Sequence, residues 1–519
     1  MNKWLLLATI LFIVSGCSRR SVTQGPPQPL TVESTTQVYP LFKGSGTNAL
    51  LRVGVYVPAG NQQVRSLQLS MDDAAVTAFQ KLELYSTGKE PAFQKNNLLA
   101  SLEGGMIKSG AVAVNWNVSA GWNYAWINVI LKDNADIDRM VECRVIAAES
   151  TDGKNYLAEQ SGDFKKRLGV AVRKAGDDGV NTYRIPGITT TDKGTLIAVY
   201  DIRYNHSGDL PANVDVGLSR STDGGRSWEP MKVIMDMGAP HENNGVGDPA
   251  VLFDPVTKKL WVAALWSKGN RSIAGSEPGL SPDITGQFVL VSSDDDGRTW
   301  SKPYSITTQV KDPKWHLYFN GPGSGIAMKD GTIVFASQYW DESKKPGMPH
   351  SSIIYSKDHG KSWQSGIGAK SNTTESQVVE TTPGTLMLSM RDNRGSFRSI
   401  ATTKDMGKNW TEHITSYHAL KDPVCMASFI KANVRVHNAP ADILFFGNPA
   451  SSNAREDMTI KASMDLGESW PEAYSLLVDQ RKGFGYSSLT RIDENTLGFL
   501  YEGVRDLYFV RIPVNEIIK

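Results

Sequence analysis

Three cysteines among 519 residues are too few for a disulfide framework. The eight histidines show neither an HExxH motif nor paired spacing, so no metal site is expected. Phosphate-cradling glycine loops are missing too, because the glycine clusters fall in turns, and no cofactor is expected. Neither sign of charge dominates. Lys plus Arg is 55 against 54 for Asp plus Glu, a net charge of +1, which gives no global basic field for nucleic acid. Beyond the first residues no apolar run approaches the roughly 18 needed to span a bilayer. What is present is turn-rich and strand-rich: 25 prolines, 13 tryptophans and an apolar share of 40%, which suits a large all-β chain with a buried core.

The one early apolar run, Trp4 to Val14 behind Lys3, is too short for a permanent span and ends in Val14-Ser15-Gly16-Cys17. That ending resembles the bacterial lipoprotein signal box. The resemblance implies that residues 1–17 form a signal peptide cleaved before Cys17, whose acylated thiol would hold an exported chain on the outer membrane by its lipid alone. A plain secretory signal is the alternative. No acidic export stretch follows Cys17, so periplasmic and surface-facing placements both stay open. Residues 18–30, polar and Pro-rich, read as a tether. Cys143 and Cys425, far apart in hydrophobic surroundings, read as buried free thiols.

Internal repetition sets the architecture. The pattern Ser/Thr-x-Asp-x-Gly-x-x-Trp occurs five times, starting at Ser221, Ser293, Ser356, Thr403 and Ser463. In each copy the Asp can accept N–H bonds across a tight turn, the Gly supplies a positive φ and the Trp packs a large ring. Apolar strands precede the copies, as in Phe288-Val289-Leu290-Val291. The box aspartates recur about every 60 residues, close to one four-stranded propeller blade with a loop excursion. Residues 168–519 hold nearly six such periods. A six-bladed β-propeller is therefore expected, with five or seven blades as alternatives, and the strand near Val170–Arg173 should complete the last blade. Residues 31–165 carry no box, but their alternating apolar runs between polar turns fit a β-sandwich. The fold class is all-β: a sandwich followed by a propeller.

The five boxes resemble the Asp-boxes of the sialidase (neuraminidase) family, in which they lie on the face away from the active site and are structural. The segment 31–165 resembles the domain preceding the propeller in sialidases of Bacteroides-like bacteria. This implies a carbohydrate-binding module with Trp122, Tyr124 and Trp126 free to stack on sugars; packing in a core or against the propeller is the alternative.

The same resemblance assigns a site. Tyr183-Arg184-Ile185-Pro186 looks like the family's F/Y-R-I-P signature, and Arg391 and Arg455 stand where its second and third arginines fall. Sialic acid bears a carboxylate on its anomeric carbon, and guanidinium forks grip a carboxylate better than ammonium groups do. The resemblance places a nucleophile at Tyr486 and its base at Glu375. A neutral phenol approaches that anionic centre without the repulsion a carboxylate nucleophile would meet, and sialidases are an exception to the two-carboxylate rule. Asp209 is the acid/base candidate, with Asp201 and Asp215 as nearby competitors; as an acid it must be neutral at working pH. Arg203 and Asp248 resemble residues lining the sugar's other substituents, and Glu502 the glutamate that orients the first arginine. The implied function is a retaining, monomeric exo-α-sialidase acting on sialylated glycans, glycoproteins or glycolipids. A binding propeller without turnover and a trans- or anhydro-sialidase are the alternatives.

Overall fold

The computed structural model describes residues 29–519. The expected signal peptide with Cys17, and all but the last two residues of the tether, lie outside the described residues.

From Thr182 to Asp479 the chain builds five sheets in sequence order, each based on four antiparallel strands, and a sixth follows. Blade one comprises Thr182–Thr190, Leu196–Arg203, Val214–Ser221 and Lys232–Met235. Blade two begins at Val246–Asp254, blade three at Leu317–Asn320, blade four at Thr373–Thr382 and blade five at Ser428–Val436. Each sheet is covered on both faces by its neighbours, so inner strands lose polar alternation. Leu196–Arg203 and Ile333–Trp340 are buried at every position. The core lies between blades, as where Ile197 and Val199 of blade one pack in one cluster with Val251 and Val262 of blade two.

Blade six has only three strands of its own, Ser487–Arg491, Thr496–Glu502 and Leu507–Pro513. Its fourth is Lys165–Arg173, paired with Leu507 opposite Arg173 and Phe509 opposite Val170. The start and end of the propeller thus join by hydrogen bonds. The same arrangement explains five boxes for six blades, because each box forms the turn between a blade's third and fourth strands. In blade six those strands are far apart in sequence and no turn connects them. In the Asp358 box, the carboxylate accepts from Ser356 Oγ at 2.7 Å, Ser362 N at 2.9 Å and Ser362 Oγ at 2.6 Å. Two of the box tryptophans meet rings of the preceding blade. Trp228 meets Phe509 of blade six at 5.2 Å, and Trp363 meets Trp261 of blade two at 5.9 Å.

Residues 31–161 form a separate β domain. Its two long strands, Ala49–Met71 and Gly110–Leu131, pair antiparallel, with register shifts between Ala49 and Leu51, Val57 and Asn61, and Val64 and Ser66. Leu51, Val53, Trp116 and Ile127 fill its core. Lys165–Arg173 also pairs with Met140–Ser150 and Leu41–Lys43 of this domain. The expected boundary at 165–168 is therefore a strand common to both units. Phe42 reinforces the junction by stacking on Tyr508 of blade six at 3.9 Å. Cys143 and Cys425 are both buried free thiols.

Candidate active site

In an antiparallel blade, the start of the first strand, the end of the second and the loop from second to third share one end of the sheet. The other two hairpins, and hence all five boxes, share the opposite end. Every candidate residue obeys this rule. Arg184, Asp248 and Glu375 lie near first-strand starts, Tyr486 just before one, and Arg203, Arg391 and Glu502 at second-strand ends. Asp209 and Arg455 sit on second-to-third loops.

Tyr486, Glu375 and Arg391 form one hydrogen-bonded unit across blades six and four. The phenol donates to Glu375 Oε1 at 2.5 Å, and Arg391 Nη1 donates to Glu375 Oε2 at 2.6 Å and to Tyr486 Oη at 2.9 Å. Burial, and then the Glu375 carboxylate, hold the phenol well above its ordinary pKa, so it rests neutral. Gly485 precedes the tyrosine at φ +90°. A Cβ there would lie 2.9 Å from Pro449 and 3.1 Å from Cys425 Sγ, which restricts the position to glycine.

Arg184 reaches the same point from blade one. A register shift between Arg184 and Gly187, with Ile185 at φ +56°, lifts the motif out of the strand ladder. Glu502 accepts from Arg184 Nε at 3.1 Å, from Ile185 N at 2.8 Å and from Tyr486 N at 2.9 Å. One buried carboxylate thus orients both the first arginine and the tyrosine. The Arg184 guanidinium lies 5.2 Å from the Tyr486 ring centroid. Arg455 lies over the same ring at 5.6 Å, its Nη1 and Nη2 donating to the carbonyls of Phe484 and Val424 at 2.9 and 3.1 Å. Tyr486 is therefore flanked by all three arginines.

Asp209 sits at the rim with its side chain 76% exposed. Its carboxylate accepts from Arg203 Nη1 at 2.7 Å and Arg184 Nη1 at 3.3 Å. Partial burial raises its pKa, but Arg203 and Arg184 outweigh this and hold the carboxyl below the usual range. The sequence reading calls for a neutral acid here; as the side chains stand, the carboxyl pushed toward neutrality is Asp248. Burial, then Asp201, Asp209 and Glu375, drive it well above the ordinary carboxylate value. Of the two competitors, Asp201 is buried, bonding Arg203 Nη2 at 2.8 Å and Asp248 N at 2.8 Å. Asp215 is also buried, bonds Tyr204 Oη at 3.0 Å, and is pushed up to about 6, mainly by burial. Neither faces the cleft.

The cleft between these groups has a volume of about 210 Å³ and is bordered by Asp209, Asp248, Glu375, Arg391 and Tyr486. One wall is apolar, with Leu265 and Ile273 from blade two and Phe319 and Trp340 from blade three, the last two stacked at 5.7 Å, while Ser272, Gln338, Thr374 and Asn393 add polar groups to the lining. Sequence reasoning did not name the four apolar residues. The strand-end rule locates Leu265 and Trp340 at second-strand ends and Ile273 on a second-to-third loop, a signal available once blades are delimited.

On the N-terminal domain, Trp122 is exposed, stacks on Tyr124 at 6.2 Å and 6°, and neighbours Tyr56 at 5.5 Å. Trp126 is half-buried, packed on Phe93 and bonded to Pro91 O.

Comparison with known proteins matches this arrangement to relatives. A family model for a BNR repeat-like domain matches residues 194–500, and one for the N-terminal domain of BNR-repeat neuraminidase matches residues 30–154. The chain is 46% identical over 409 residues to a sialidase of Bacteroides fragilis, covering 77% of this chain and 74% of that protein. A sialidase of Micromonospora viridifaciens is 32% identical over 333 residues, 63% of this chain and half of that longer protein. Among solved structures, the Hadza microbial sialidase Hz136 superimposes with a TM-score of 0.86 at 39% identity, over 93% of this chain and all of that one. An intramolecular trans-sialidase from Ruminococcus gnavus, 19% identical with a TM-score of 0.57 over 67% of this chain and 97% of its own, shares the fold alone. A family model across most of the propeller, a second over the preceding domain and 46% identity over about three quarters of a sialidase agree: the chain belongs to the BNR-repeat neuraminidases, the sialidase family.

Proposed function

We propose that the cleft hydrolyses terminal α-linked sialic acids with retention, through a covalent intermediate on Tyr486. The enzyme is a glycoside hydrolase, an exo-α-sialidase. The observation that carries the mechanism is the Tyr486–Glu375–Arg391 unit with Arg184 and Arg455 over the same ring.

In this reading Arg184, Arg391 and Arg455 hold the sugar carboxylate, and Asp248 and Arg203 face its other substituents. Tyr486 Oη attacks the anomeric carbon as its proton passes to Glu375, already 2.5 Å away. Delaying deprotonation until attack suits a phenol whose resting pKa is raised. The glycosidic C–O bond breaks, and Asp209 gives its proton to the departing oxygen. Water then attacks the same carbon with Asp209 as base. The C–O bond to tyrosine breaks, Glu375 returns the proton to the phenolate, and sialic acid leaves in its original configuration. The substrate itself helps Asp209 act as an acid. A carboxylate bound at Arg184 offsets part of the cationic charge that holds Asp209 ionised.

The test is release of fluorophore from a methylumbelliferyl sialoside, with the sugar product identified by NMR. Free sialic acid is expected from the wild type, and Tyr486→Phe should reduce kcat by at least about a thousandfold. An anhydro sugar as sole product would refute hydrolysis; wild-type turnover in the variant would refute the nucleophile.

A further inference from the structure

Arg398 and Asp422 are 0% and 1% exposed, and the chemistry above uses neither. Arg398 spans two elements of the site. Its Nη2 donates to Ser389 O at 2.9 Å, two residues before Arg391, and its Nη1 to Cys425 O at 2.7 Å. Asp422 lies 3.5 Å from the guanidinium and accepts from Cys425 N at 2.9 Å and Asn448 Nδ2 at 3.3 Å. Taking two ions out of water is costly, and a well-packed apolar pair would hold blade four and the segment leading to blade five together as well or better. Their burial therefore calls for a role beyond cohesion.

The segment they clamp supplies one. Val424, between Asp422 and Cys425, sits at φ +57°, which a β-branched residue strongly disfavours. In that conformation its carbonyl accepts from Arg455 Nη2 at 3.1 Å. The second acceptor for Arg455, Phe484 O, is backed by Cys425 Sγ at 3.8 Å. Two of the five guanidinium N–H groups are thus fixed on backbone carbonyls, leaving three for a ligand.

We propose that Val424, held in its strained conformation by the Asp422–Arg398 pair, is a positioning residue that fixes the Arg455 guanidinium plane for the sugar carboxylate. The inference rests on the reading of Arg455 as a carboxylate-binding arginine.

Val424→Gly keeps the N–H and C=O, relieves the strain and frees the carbonyl to move. Because the carboxylate contact exists in ground and transition states alike, KM for the methylumbelliferyl sialoside should rise about fivefold or more with kcat within about twofold. The inhibition constant of the unsaturated sialic acid analogue should rise by the same factor, while the thermal midpoint stays unchanged or increases. Unchanged KM and inhibition constant would overturn the proposal. Arg455→Lys in the same assays separates the two readings. If it leaves both constants unaltered, the role of Arg455 fails first; if it weakens both and Val424→Gly does not, positioning alone fails. In the double variant, Val424→Gly should add no further loss, and an additive loss counts against coupling.

Discussion

Replacing Asp209 by Asn removes the proposed proton donor while keeping its shape, and the size of the loss should depend on the leaving group. A positioned general acid contributes about 10²- to 10⁴-fold, equivalent to roughly 3 to 5 kcal/mol of barrier. A sialylated disaccharide, whose sugar alkoxide leaves poorly, should show the whole deficit. An activated aryl sialoside needs little protonation and should show much less. The charge environment adds a pH signature. Arg203 Nη1 at 2.7 Å and Arg184 Nη1 at 3.3 Å favour the ionised form, against the opposing effect of partial burial. Asp209 acts as an acid only when protonated, so a lowered pKa makes kcat/KM for the disaccharide rise as pH falls toward the carboxylate range. In the complex the substrate carboxylate offsets Arg184, the Asp209 pKa rises, and the alkaline limb of kcat should lie at higher pH than that of kcat/KM. Steady-state kinetics of both substrates across about pH 3 to 8 would show this. Equal losses on the two substrates, or coincident limbs, would refute the assignment.

Two predictions concern the rest of the chain. We propose that the Trp122–Tyr124 face of the N-terminal domain binds sugar: Trp122→Ala should weaken retention on a mucin column by about tenfold while leaving kcat/KM on the small sialoside unchanged. Equal retention would count against it. We also propose export and acylation at Cys17, supported by the signal-like residues before it. Fatty-acyl labelling in a bacterial host should be present in the wild type and absent from Cys17→Ser; label retained in the variant excludes that site.

The propeller was legible because one strong turn recurs. Asp, Gly and Trp at fixed offsets demand a hairpin wherever they occur, and their period gives the blade. The polar site was legible by resemblance, and the structure brings Arg184, Glu375, Arg391, Arg455 and Tyr486 to one point. Two things were not legible. The apolar wall of Leu265, Ile273, Phe319 and Trp340 uses the same residue types as the core, so only placement at a strand end distinguishes it. The charge state of Asp209 depends on two guanidinium groups within 3.3 Å, one from another strand, and no local pattern encodes that contact. Arg398 and Asp422 were invisible for a similar reason. Burial of an ion pair is a property of the assembled ring.

The strand Lys165–Arg173 gives the molecule an order of assembly. It is made before any blade, yet its propeller partner Leu507–Pro513 is made only after the strands of the five preceding blades. Until then its propeller-facing edge has no native partner, while its other contacts, with Leu41–Lys43 and Met140–Ser150, can already form. The N-terminal domain can therefore act as a jig during synthesis, keeping the first piece of the ring in place and shielding one side from aggregation. A catalytic fragment begun after residue 173 would lose the latch itself. One begun at 165 would retain the latch without the surface that holds it, and should refold more slowly than the whole chain.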